Sequence, residues 1–117
     1  MRAKSMCAMG LLAMVWGCGS SFPPPTDAWA AAQADVGRAQ ASGAANEPEA
    51  KLHLQLALDE LAQAKTLMNV DNERATSLTA VARSEAQLAV SLSREAFERD
   101  AAQKAKSNLA DPGATSK

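Results

Sequence analysis

The sequence predicts an all-α protein: a three-helix bundle, made of an antiparallel helical hairpin with an N-terminal helix packed on it. A long C-terminal helix extends past the core. Three observations carry this prediction. Of the 117 residues 27 are alanine while aromatics are only 3%, a composition that suits close-packed helices and not a β-sandwich or barrel. Apolar residues recur at three- and four-residue spacing in three separate stretches. No glycine or proline interrupts the chain from Glu73 to Asp111.

The opening segment stands apart from the fold. Met1-Arg2-Ala3-Lys4 is a short basic start, and Met6 to Trp16 is an apolar run of signal-peptide length, too short to span a bilayer as a helix. It ends in Val15-Trp16-Gly17-Cys18, which resembles the lipobox of bacterial lipoproteins, with Trp16 bulkier than the small residue usual there. The resemblance implies cleavage after Gly17 and lipidation of Cys18 by a diacylglycerol and a further acyl chain, palmitate among the possible acids. At about 0.8 kcal/mol per buried methylene, two or three chains hold a protein permanently on a membrane. The competing reading is an ordinary secretory signal cut at Gly17, Gly19 or Ser20. Residues 1–17 are therefore the expected signal peptide. Gly19, and not aspartate, follows the cysteine, which by the same resemblance directs the protein to the periplasmic face of the outer membrane.

Residues 18–25 form a lipidated cysteine and a tether, in which Pro23-Pro24-Pro25 is a stiff stub. The helical domain is expected over 26–110. Thr26 caps a first helix over about 26–42, whose stripe is Trp29, Ala32, Val36 and Ala39; Gly37 weakens it and Ser42-Gly43 ends it. A second helix over about 47–69 opens with Asn46 as its cap and Glu49 three residues on, Pro48 being tolerated in a first turn. The alternation in Leu52-His53-Leu54-Gln55-Leu56 could be read as a strand. The leucines are not β-branched, however, and the run continues into good helix formers. Leu54, Ala57, Leu58, Leu61, Ala64 and Met68 share one face of that helix; Leu52, Leu56 and Leu67 lie on the opposite one. A turn at Asn69 to Asn72, with Asp71 or Asn72 capping, leads to a third helix over 72–110. Its stripe is Ala75, Leu78, Val81, Ala82, Leu88, Ala89, Leu92 and Ala96. After Phe97 that face turns polar, so the core ends there, and 111–117 is a loose tail.

A lipobox, a proline stub, an Ala-rich helix and then a hairpin carrying Leu58, Leu61, Ala64, Glu73-Arg74-Ala75, Leu78, Ala82 and Glu85-Ala86-Gln87-Leu88-Ala89 resemble a family of small α-helical bacterial lipoproteins. That family is classed as a domain of unknown function and is sometimes fused to an OmpA-like module. Asn72 stands where the family often carries an aromatic residue. The resemblance implies an envelope lipoprotein and transfers no catalytic residue.

The chemistry-bearing residues are sparse. Lys+Arg 12 against Asp+Glu 13 leaves a net charge of -1, which gives no electrostatic footprint for nucleic acid. Two cysteines and one histidine make neither a disulfide framework nor a metal site. No phosphate-binding glycine motif, redox motif or zinc motif is present, so no enzyme and no cofactor is expected. His53 is expected as a solvated side chain. Glu85 breaks the third helix's stripe at the level of Leu56 and Ala57. It is read as a rim carboxylate reaching water or Lys51, the alternative being a polar residue that pins helix register.

The functional expectation is a structural or protein-interaction role in the cell envelope, through an envelope protein partner or self-association, with Leu52, Leu56 and Leu67 as the interaction surface. The competing expectation is that Trp29 and Val36 of the first helix cover this row. Two other classes stand beside it. One is linkage of the terminal Lys117 to peptidoglycan, as in Braun-type lipoproteins. The other is carriage of an apolar ligand, for which an alanine-packed bundle leaves little room.

Overall fold

The computed structural model describes residues 21–111 and Gly113. The expectations for Gly17, Cys18 and Lys117 fall outside these residues. The fold is all-α, with α1 (Thr26–Ala41), a short 3-10 turn (Ala44–Asn46), α2 (Pro48–Leu67) and α3 (Asn72–Ala110). Three side-chain contacts fix the topology. Asn72 Nδ2 donates to the Phe22 carbonyl. Arg83 and Gln87 donate to Asp35. The sequence separations are 50, 48 and 52, and their near constancy means that α1 runs parallel to α3. The Trp29 indole N–H donates to the Leu61 carbonyl, 3.2 Å away, and α2 lies antiparallel to both.

The helix ends follow local chemistry, with two departures from the sequence reading. Pro25 is the residue before α1 and no side chain caps that helix, so Thr26 is its first residue and not its cap. For α2 the cap is Glu47, not Asn46: its carboxylate accepts from the Ala50 N–H at 2.8 Å, and Pro48 takes the first helical position. Asn46 is drawn instead into the 3-10 turn, which buries Ala44. Gly43, with φ of +86°, supplies the left-handed residue that ends α1. Asn69, at φ of +68°, turns the chain between α2 and α3; asparagine is among the few residues that tolerate this region. Asp71 caps α3 by accepting from the Arg74 N–H at 3.0 Å.

The core is built mainly of alanines. Ala32, Val36 and Ala39 of α1 meet Leu54, Ala57 and Leu61 of α2 and Ala82, Ala86 and Ala89 of α3. Without long side chains between them, the helix axes sit at the close end of the packing range. On α3 the buried line is Ala75, Thr79, Ala82, Ala86, Ala89 and Ser93, which corrects the expected stripe. Leu78, Leu92 and Ala96 are half-buried, and Val81 and Leu88 are exposed. The reason is steric. Small residues lie where α3 is closest to its two neighbours, and the leucines fall to one side of that line. Thr79 and Ser93 join it at little cost, because each hydroxyl donates to the carbonyl four residues back. Leu58 is likewise displaced from the core and is exposed.

From Phe97 onward every residue of α3 is exposed. This extension of about 14 residues runs about 21 Å past the bundle as a single helix.

Candidate interaction surface

The position of α1 decides which faces of the hairpin remain open. Trp29 lies over the side of α2 that carries Leu58, Leu61, Ala62 and Lys65, with the Lys65 ammonium 5.7 Å from the centre of the ring. On α3, α1 meets the side carrying Arg83 and Gln87. Here Asp35 is only 4% exposed. It is held by the Arg38 guanidinium at 2.6 Å, by Arg83 Nε at 3.2 Å and by Gln87 Nε2 at 3.4 Å. A buried carboxylate needs such partners, and both arginines remain partly in water. Sequence reasoning missed Asp35. The signal was available: an acid placed between Ala32 and Val36 interrupts an apolar stripe just as Glu85 does.

Among the described residues, nothing covers the opposite side of the hairpin. At 100° per residue, Leu52, His53, Leu56, Glu60 and Leu67 of α2 fall within an arc of about 100°. Leu78, Val81, Glu85, Leu88 and Leu92 of α3 fall within about 80°. These two arcs face the same groove, because His53 Nδ1 meets Glu85 Oε2 across it at 2.5 Å. Leu52 is 54% exposed, Leu56 39%, Val81 43% and Leu88 42%. Leu67, Leu78 and Leu92, on the same two arcs, are half-buried. Of the three leucines expected at the surface, the structure leaves Leu52 and Leu56 open together and tucks Leu67 in near the turn. Neither Trp29 nor Val36 covers the row, since both lie on the far side of α2.

Polar groups cross the centre of this face. His53 is half-buried and paired, not solvated as the sequence suggested. Glu85 reaches across the seam to this histidine, not to Lys51 or to water alone. The pair links α2 to α3 at this level. Two turns along α2, Glu60 points into the same groove. One of its oxygens, Oε2, is out of contact with solvent and lacks a hydrogen-bond partner. Burial pushes the Glu60 carboxyl above its ordinary value of 4.5, and the neighbouring carboxylates of Glu85 and Asp59 push the same way. Among the described residues no group of three or more His, Cys, Asp or Glu side chains is placed to hold a metal ion. The Ser84 hydroxyl, one residue before Glu85, donates to the Ala80 carbonyl. The arrangement is an apolar face with a polar waist.

No family model, curated protein or solved structure matches the chain. No helix among the described residues is long and apolar enough to cross a membrane.

Proposed function

We propose that this chain is a lipid-anchored helical module of the bacterial outer membrane, held on the periplasmic face through Cys18, with a structural or protein-interaction role in the envelope. The observation that carries the interaction role is the open face of the hairpin. Leu52, Leu56, Val81 and Leu88 are exposed side by side, while α1 fills the other side of the same two helices. Scattered surface leucines need no explanation, but four exposed apolar side chains gathered on two adjacent helices, around a polar waist, are the composition of a contact surface. The lipobox-like Val15-Trp16-Gly17-Cys18 supports the anchor. The tether fits with it: Phe22 is bonded at the α2–α3 turn, so that end of the bundle faces the membrane and the end of α3 points away from it.

Photo-cross-linking in cells tests both parts. A photoreactive residue placed at Val81 of the full-length chain captures a protein on this face. Adding Leu52→Ser with Leu56→Ser abolishes the capture and leaves helix content intact. Loss of helix content in the double variant would mean that the row is core, and undiminished capture would remove the face from the interaction. In the same cells the wild type takes up labelled palmitate and Cys18→Ala does not; labelling of neither would end the lipoprotein reading.

A further inference from the structure

We infer that the free end of α3 is a self-pairing element: residues 97–109 of one copy dock antiparallel against the same residues of a second copy. This does not rest on the lipid anchor or on the leucine face, since it concerns a different part of the molecule.

The extension carries an apolar ridge at four-residue spacing: Phe97, Ala101, Ala105 and Leu109. Phe97 is 75% exposed and Leu109 82%, and neither α1 nor α2 reaches them. The ridge is palindromic about residue 103. Turned end for end against itself, it sets Phe97 of one copy against Leu109 of the other at both ends, and Ala101 against Ala105 twice in the middle. A ridge of this spacing packs into the matching groove of an identical ridge with the helices crossing at about -50°. At such a crossing the axes are closest at the centre and diverge on either side. The side-chain sizes follow that shape. Alanines stand at the crossing point, and the phenylalanine and leucine, six residues away on each side, fill the widening gap.

Charge selects the antiparallel orientation. Residues 97–102 carry Glu98 and Asp100 against Arg99, a net charge of -1. Residues 104–109 carry Lys104 and Lys106 with no acid, a net charge of +2. An antiparallel pair lays the acidic half of each helix on the basic half of the other. A parallel pair would lay the lysines side by side. Both halves also suit the helix itself, through Glu95 with Arg99 and Asp100 with Lys104 at four-residue spacing, so the extension stays helical until its partner arrives.

The test is site-specific photo-cross-linking in the full-length protein, purified in detergent. p-Benzoylphenylalanine replaces Phe97, and the cross-linked peptide is identified by mass spectrometry after trypsin. The expected product is a covalent dimer joined to the Ser107–Lys117 peptide that contains Leu109. The same probe at Gln103, on the opposite side of the helix from the ridge, gives at least tenfold less dimer. Ala101→Glu with Ala105→Glu abolishes the Phe97 cross-link; these side chains are exposed in the single chain, so the bundle is unaffected. A cross-link from Phe97 to the peptide around Phe97 would mean a parallel pair. A cross-link to the peptides of Leu52, Leu56, Val81 or Leu88 would mean that the extension docks on the hairpin face. Either result, or the absence of covalent dimer, overturns the proposal.

Discussion

The two halves of α3 are made of much the same residues and do opposite things. Up to Ala96 the helix runs between α1 and α2, and Ala75, Thr79, Ala82, Ala86, Ala89 and Ser93 are buried along it. From Phe97 to Ala110 it has no neighbour among the described residues, and every residue is exposed. Both halves are rich in alanine, and both lack glycine and proline. The difference shows that local propensity makes this helix and packing merely uses part of it. Alanine lets the first half lie close to two other helices, and the same residue keeps the second half helical where nothing holds it. A buried alanine and an exposed one look identical in the sequence. What separates them here is the length of α1 and α2, which end the bundle at the level of Ala96.

The contrast can be broken most forcefully from the bundled side. Leu61 is 5% exposed and packs at the junction of all three helices, where its carbonyl also receives the Trp29 indole. Leu61→Ala should cost about 2–4 kcal/mol, a large part of the stability of a domain this small. Thermal or urea unfolding of the full chain measures it. A change below about 1 kcal/mol would mean that the bundle is far looser than its alanine contacts indicate.

A smaller effect concerns the polar waist of the open face. The Glu60 carboxyl is raised above its ordinary 4.5 by burial first and by Glu85 and Asp59 after it. The folded state therefore holds this proton more tightly than the unfolded chain does. By linkage, its contribution lowers stability as pH rises from about 4.5 through the folded value, and the penalty persists above it. Glu60→Gln removes both the penalty and the orphaned Oε2 charge, so the variant should be more stable than the wild type at neutral pH, and the gain should shrink as pH falls below that window. Unfolding curves at a series of pH values decide it. A gain independent of pH would assign the effect to packing alone.

Much of this arrangement could be read from residues alone. The three helices, the hairpin turn and the end of the core at Phe97 followed from apolar spacing and from the caps at Asp71 and Gly43, which are local signals. What could not be read depended on the third dimension. Apolar spacing draws the α3 stripe toward its leucines because these are the largest apolar groups. The closest approach of three helices selects for the smallest, and only the packing shows this. His53 looked solvated because its partner, Glu85, is 32 residues away. The Asp35 cluster joins residues 48 and 52 apart, beyond the reach of any local pattern. The outer leucines are legible as a second face of α2. Their companions Val81 and Leu88 are not, since their spacing on α3 is also that of a core stripe.

One continuous helix has a packed half and a free half, and amide hydrogen exchange along α3 reads the difference residue by residue. At protein concentrations low enough to keep the chain monomeric, amides from Thr79 to Ser93 should exchange only through opening of the bundle, and Leu61→Ala should accelerate them together. Amides from Ala101 to Ala110 should exchange by local fraying, orders of magnitude faster, and should be indifferent to Leu61→Ala. Equal protection in the two halves, or acceleration of both by Leu61→Ala, would show that the end of α3 is held by the bundle after all.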